Sequence, residues 1–237
     1  TLDDMQPHTN PRYQRDEIGI GYAFADYYKH IARFERERGI WYVFDGSVWQ
    51  PDENALAVAE LAKILADRLY TFSLNIKDED TRNRYIKSVK RLQMRKNRKT
   101  MIEDAKSVYP VPHSIFDRNT NLFNCKNGTL NLTTGEFRPH DPTAFLTLVS
   151  GIAYNPDAAC PRWLSFVNEV MCGDADLASY LQKALGYALT GDTNLECLFI
   201  LYGATSRNGK GTTMETFLKI MGDYGKTSNP EMLSMKF

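Results

Sequence analysis

The chain has 237 residues, of which 43% are apolar and 24% charged, a composition typical of a globular protein with one large or two smaller domains. No apolar run approaches the roughly 18 residues of a membrane span, and the polar residues 1–17 do not resemble a signal peptide. The four cysteines lie apart with no C-x-x-C pair, which argues against a zinc site or a disulfide framework. We therefore expect a cytoplasmic protein with reduced thiols and no membrane partner.

The formal net charge is zero, but the charges are unevenly distributed. Residues 81–102 contain nine Lys or Arg and no Asp or Glu, which leaves 20 basic and 29 acidic residues in the remainder. A basic segment on an otherwise acidic chain indicates an anionic partner.

After a polar leader, residues 1–17, the periodicity of residues 21–38 predicts a helix that ends at Gly39. Two aromatic and β-branched runs then flank Asp45-Gly46, a pattern typical of a β-hairpin. We expect Trp41 and Trp49 to be core or cross-strand residues rather than base-stacking platforms.

Helices are predicted at residues 53–70 and 79–93, and Thr100 and Glu103 resemble a capping box that opens a further short helix. Basic residues recur at helical spacing through this region. They would form a basic stripe consisting of Arg84, Lys87, Arg91, Arg95 and Arg98. The stripe is either a solvated helix face or a surface that contacts DNA phosphates, which would relieve repulsion between like charges.

Short apolar runs separated by Asn- and Gly-containing turns predict a small β-meander within residues 115–140. From Pro161 the pattern is helical again, with Pro161 at a first helical position and Gly173 at the end of that helix. Asp174 is the predicted N-cap of a second helix, which ends near Gly191.

Residues 197–221 have the order strand, polar loop, helix that a phosphate-binding loop requires. In such a loop backbone N–H groups surround a phosphate at the positive end of a helix. Gly209 and Gly211 would permit the close approach, and Lys210 would supply a charge for the β and γ oxygens. The predicted ATP site comprises Ala204, Thr205, Ser206, Arg207, Asn208, Gly209, Lys210, Gly211, Thr212 and Thr213, with Lys210 as its catalytic residue.

The loop departs from G-x-x-x-x-G-K-[ST] at two points. Gly203 lies one residue too early, and Gly211 stands where the motif has Ser or Thr. We assign the Mg²⁺ ligand to the hydroxyl of Thr212, with Thr213 as the alternative. The competing interpretation of the whole segment is a glycine-containing turn between a buried strand and a helix.

Four segments together resemble the phage and plasmid primase–helicase family, whose members carry a superfamily-three helicase at the C-terminal end. They are NGTLNLTTGEFRPHDP (127–142), AYNPDAACPRW (153–163), LQKALGYALTGDT (181–193) and LFILYGATSRNGKGT (198–212). Residues 40–51 are also similar to the W-x-x-[WF]-[DN]-G-x-x-W part of the domain that precedes the helicase in that family.

The resemblance implies an α+β helicase-preceding domain at residues 18–150, a helical collar at 151–195 and the start of an α/β, AAA+-like ATPase core at 196–237. It further implies ATP and Mg²⁺ as cofactors, DNA as substrate and a hexameric ring. The family's acidic pair, sensor and arginine finger would lie beyond Phe237, so we expect this chain alone not to unwind DNA and scarcely to hydrolyse ATP. The alternative function is a non-enzymatic oligomerisation or DNA-loading module with a remnant phosphate loop.

Overall fold

A computed structural model describes residues 1–13, 16–203 and 207–229. The chain divides into two compact units, Thr1–Phe116 and Asp117–Phe237. Within the described residues there are eight α-helices and two three-stranded antiparallel sheets, which confirms the predicted α+β class. The domain boundaries predicted at residues 18, 151 and 196 stay predictions.

The described residues of the first unit form five α-helices and one sheet. The elements in chain order are α1 (Leu2–Met5), α2 (Asp16–Tyr28), β1 (Ala32–Glu35), β2 (Ile40–Phe44), β3 (Trp49–Asp52), α3 (Leu56–Leu74), α4 (Glu79–Lys90) and α5 (Arg95–Ala105). Helices α2, α3 and α5 pack around one apolar cluster that includes Phe24, Leu65 and Met101. Burial of these side chains is the main stabilising contribution in the unit.

The predicted hairpin is confirmed. Strands β2 and β3 pair antiparallel with Phe44 opposite Trp49. Gly46 has a φ of 105°, and the Asp45 carboxylate accepts hydrogen bonds from the N–H groups of Ser47 at 2.8 Å and Val48 at 2.9 Å. Trp41 and Trp49 are both buried, as expected of core residues.

The predicted helix at residues 21–38 is wrong beyond Tyr28. Residues Ala32–Glu35 form β1, which pairs antiparallel with β2. Glu35 is fully buried, and its carboxylate accepts hydrogen bonds from the N–H groups of Glu37 at 2.6 Å and Arg38 at 3.1 Å. These hydrogen bonds fix the turn that ends at Gly39. Pairing of β1 with β2 therefore prevails over the helical periodicity of this segment.

Helices α3 and α4 confirm two predictions with shifted ends. Helix α3 begins at Leu56, which is 71% exposed. Helix α4 begins at Glu79, as expected, and continues as a 3₁₀ turn over Arg91–Gln93. The capping box predicted at Thr100 is wrong, because α5 already begins at Arg95 and the Thr100 hydroxyl donates to the Lys96 carbonyl.

In the second unit the predicted meander is confirmed. Strands β4 (Leu122–Cys125), β5 (Gly128–Asn131) and β6 (Phe137–Arg138) pair in sequence order. Asn124 is fully buried on β4, where its amide donates to the Leu148 carbonyl at 3.1 Å and accepts from the Thr129 hydroxyl at 2.9 Å. The buried amide is thus hydrogen-bonded, as stability requires.

Three helices follow the meander: α6 (Pro161–Val170), α7 (Ala175–Leu189) and α8 (Lys210–Met221). Pro161 occupies the first turn of α6, and the Asp174 carboxylate caps α7 by accepting from the N–H groups of Asp176 and Leu177 at 3.0 Å, as predicted. The strand predicted at residues 197–202 is absent, because no described segment forms a β-ladder with it. None of the described helices combines the length and apolarity needed to cross a membrane.

Candidate functional site

The start of α8 has the features of an anion-binding helix terminus. Its N-cap, Gly209, lies in the left-handed region with a φ of 81°, and no side chain caps the helix. The amides of Lys210, Gly211 and Thr212 have no intrahelical acceptor at this position, and the first turn contains no acidic residue. Exposed amides and the positive end of the helix dipole therefore favour an anion here.

Gly209 is also fixed by packing. A Cβ built on it would lie 2.5 Å from Cγ1 of Val170 and 3.1 Å from Cζ of Phe166, both on α6. The positive φ and this close contact both require glycine. Gly211, by contrast, has open space around its Cα.

Lys210 lies at the loop with its ammonium held by a neighbour. Its Nζ donates to Oδ1 of Asn208 at 2.6 Å. The Asn208 amide also packs against Gly203, where any Cβ would overlap it, and such a Cβ would lie 3.2 Å from Nζ of Lys210. Gly203 therefore permits the close approach of the Asn208 side chain to the backbone. Its position one residue early for the motif did not indicate this role.

The structure distinguishes the two threonines proposed as metal ligands. Thr213 is buried, and its hydroxyl donates to the Gly209 carbonyl at 3.1 Å. Thr212 is exposed at the first turn. The geometry thus favours the Thr212 hydroxyl as the one that can reach a metal ion.

A magnesium ion would have few protein ligands here. The described residues contain no group of three or more His, Cys, Asp or Glu side chains that could hold a metal ion. Mg²⁺ commonly binds through substrate phosphates and water with one or two protein oxygens, so a single threonine hydroxyl fits that pattern. Of the predicted ATP ligands, Ala204, Thr205 and Ser206 lie outside the described residues, whereas Arg207 is exposed with a φ of 62°.

The predicted basic stripe is divided between helices. Arg84 and Lys87 lie exposed on α4, Arg91 on the 3₁₀ turn and Arg95 at the start of α5. The backbone between them is extended at Met94.

Arg98 differs from the other four basic residues, because its guanidinium donates to the carbonyls of Leu92 at 2.6 Å and Gln93 at 2.7 Å. It therefore caps the end of the 3₁₀ turn, a structural role that its spacing alone did not reveal.

A cleft of about 810 Å³ lies in the first unit beside α5. Helix α5 contributes Arg95, Arg98, Lys99 and Ile102 to it, and Lys106 follows at the end of that helix. Helix α3 contributes Leu56, Ala59 and Lys63, and the start of β2 contributes Ile40 and Trp41. Lys99 and Lys63 are not among the site residues predicted from the sequence. Lys99 lies four residues after Arg95, a spacing that places both on one helix face.

Comparison with known proteins gives two findings. The family model described as D5 N terminal like matches residues 21–172. A protein of Acanthamoeba polyphaga mimivirus named "Putative helicase" is 22% identical over 220 residues, which cover 84% of this chain and 23% of that protein. The chain thus spans about a quarter of the length of this relative.

Proposed function

Because the chain belongs to the D5 N terminal like family, a family associated with helicases, we propose that it is part of a DNA-replication helicase and binds ATP at the start of α8. The observation that carries the proposal is the uncapped helix terminus at Gly209 with Lys210 beside it. The family match supports the helicase association. The phosphate site is inferred from the geometry of the loop.

In this proposal each residue has a distinct role. The amides of Lys210, Gly211 and Thr212 bind phosphate oxygens, and the Lys210 ammonium exchanges its contact with Asn208 for the β- and γ-phosphates. The Thr212 hydroxyl is a ligand of Mg²⁺, which neutralises phosphate charge when bound. DNA as substrate, a hexameric ring and a replicative role in phage, plasmid or prophage are parts of the same proposal, as is a cytoplasmic location.

Isothermal titration calorimetry of the whole chain with ATP, with and without Mg²⁺, tests the nucleotide site. We expect Lys210→Ala to weaken binding at least tenfold, because a charge-assisted contact is worth about 1.5–3 kcal/mol. Thr212→Ala should reduce only the Mg²⁺-dependent part of the affinity.

Lys219→Ala is the matched control, since Lys219 is exposed at the opposite end of α8. The nucleotide site is refuted if the parent chain binds no ATP, or if the Lys219 and Lys210 variants behave alike.

A second candidate is a non-enzymatic oligomerisation or DNA-loading module. It is favoured by a run of exposed apolar side chains before the loop, with Leu198, Ile200 and Tyr202 69%, 79% and 87% exposed. Exposed apolar patches of this kind mark association surfaces. Light scattering that shows assembly without any calorimetric signal for ATP would favour this candidate over the first.

A further inference from the structure

We propose that the cleft between α3 and α5 in the first unit is a binding site for single-stranded nucleic acid, with Arg95 and Lys99 as its phosphate contacts. The inference rests on the proposed function only in the choice of nucleic acid as the anion. The cleft itself is lined by residues of the first unit, Thr1–Phe116, whereas Lys210 belongs to the second.

The size and lining of the cleft suit a ligand with both charged and apolar parts. Its volume of about 810 Å³ is within the range of roughly 300–1,000 Å³ typical of ligand sites. Residues 95, 98, 99 and 102 recur along one face of α5, and residues 56, 59 and 63 recur along one face of α3. Two helix faces thus line the cleft.

The charges in the lining leave two cations available. Lys106 pairs with Glu103 at 2.8 Å, and Lys63 pairs with Glu60 at 2.7 Å. Among the described residues no ion pair involves Arg95 or Lys99, and both are exposed. Two unneutralised cations on one helix face repel each other, and an anion between them removes that repulsion.

The lining has five basic and three acidic side chains, so its carboxylates leave a formal charge of +2. Asp52 accepts hydrogen bonds from the amides of Leu56 and Val58, both at 2.9 Å, and is thereby engaged as the cap of α3. Glu103 is neutralised by Lys106. Glu53 remains, exposed in the turn before α3.

Apolar side chains accompany the cations. Leu56 is 71% exposed, and Ile40 and Ile102 line the cleft and are half-buried. A ligand that carried only phosphate would leave this surface unused, whereas a nucleotide strand presents bases to an apolar surface and phosphates to cations.

The spacing of the two cations favours a strand over a small anion. Arg95 and Lys99 lie about one turn apart on α5, so successive phosphates of a strand can contact one cation each. Duplex DNA has stacked bases whose faces cannot reach Leu56 or Ile102, which favours a single strand.

Fluorescence anisotropy of the whole chain with a labelled 12-nucleotide oligo(dT) tests the proposal. The double variant Arg95→Ala/Lys99→Ala should bind at least tenfold more weakly at low salt. The slope of log K against log salt should become shallower by about 1.4, since each contact with a single strand contributes about 0.7. Leu56→Ser should weaken binding without changing that slope, because it removes an apolar contact only.

The matched control is Lys29→Ala/Lys77→Ala, which removes two exposed cations of the same unit that do not line the cleft. Equal loss in the two double variants would overturn the site, as would unchanged binding by the Arg95/Lys99 variant. Equal competition by polyglutamate of the same charge, or by duplex DNA, would overturn the choice of a single strand. Lys210→Ala should leave oligonucleotide binding unchanged, so failure of the ATP site and failure of the cleft are distinguishable.

Discussion

The ionisation of Asp26 on α2 is tied to the fold of the first unit. Its carboxylate accepts hydrogen bonds from the Arg12 guanidinium at 2.6 Å, the Tyr13 hydroxyl at 2.9 Å and the Tyr109 hydroxyl at 2.6 Å. Burial acts to raise the pKa of Asp26, but the three hydrogen bonds prevail and lower it below the ordinary 3.8. Burial and the contact with Asp26 raise the pKa of Tyr13 to about 12.

Because the pKa of Asp26 is depressed in the folded state, its ionised form stabilises the fold above the ordinary pKa. That contribution is lost as the pH falls through the depressed value. We therefore expect Asp26→Asn to lower the free energy of unfolding at pH 7 by about 1–3 kcal/mol, the worth of hydrogen bonds to a charged group. The difference in free energy of unfolding between the variant and the parent should decrease as the pH falls from about 4 towards 2.

Urea unfolding followed by circular dichroism at pH 7 and pH 3 measures this difference. Glu60→Gln is the control, because Glu60 forms an exposed pair with Lys63 on α3. A difference that stays constant with pH would show that Asp26 acts through its shape rather than its charge.

Two glycines in the candidate phosphate loop have opposite requirements. Gly209→Ala should lower the free energy of unfolding by more than 1 kcal/mol, because its φ of 81° and its contact with Val170 both oppose a Cβ. Gly211 lies within α8 with open space around it. Gly211→Ala should therefore leave the free energy of unfolding unchanged or raise it by up to about 1 kcal/mol. Equal destabilisation by the two variants, measured by thermal unfolding, would contradict this assignment.

At the scale of elements, the sequence predicted those whose signals are local. The predicted hairpin turn forms at Asp45-Gly46, and the predicted helix starts lie at Pro161 and Asp174. Strand β1 was missed, because Ala32–Glu35 has a helical pattern and becomes a strand only by pairing with β2. The strand predicted at residues 197–202 is missing because strand formation also depends on a partner. An apolar run alone does not supply the hydrogen-bonded ladder that defines a strand.

The candidate sites also differ in whether their residues are neighbours in the sequence. The loop glycines and Lys210 could be identified from their order along the chain. The cleft could not, because it depends on two helix faces that lie more than thirty residues apart in sequence. The structural role of Arg98 likewise depends on the backbone carbonyls of Leu92 and Gln93, which no side-chain pattern reports.

Helix α3 depends on a cap that lies outside its first turn. Its N-cap residue, Ala55, offers no side-chain hydrogen bond, and Asp52 supplies two from three residues earlier. Asp52→Ala should therefore lower the free energy of unfolding by about 1–2 kcal/mol. Glu53→Ala, an exposed neighbour, should change it by less than about 0.5 kcal/mol. Thermal unfolding of both variants checks the difference, and equal effects would rule out the capping role.

At the scale of the whole molecule, the first unit has a core of its own. The apolar cluster that includes Phe24, Leu65 and Met101 is drawn entirely from residues 2–108. We therefore expect a fragment of residues 1–116 to fold by itself and to unfold cooperatively. Circular dichroism during heating measures this, with Phe24→Ala as a destabilised reference whose midpoint should fall clearly. A fragment that melts without a sigmoidal transition would show that residues 1–116 are not stable by themselves.

The close packing of Gly209 on α6 has a practical consequence for following the loop in solution. The chain has three tryptophans, of which Trp41 and Trp49 are buried in the first unit. The third, Trp163, lies with its ring centroid 5.6 Å from that of Phe166, the ring that leaves no room for a Cβ on Gly209. A rearrangement at the start of α8 would change the surroundings of that ring. The emission of Trp163, isolated by replacing the other two indoles with Phe, is therefore a built-in optical reporter of events in the loop.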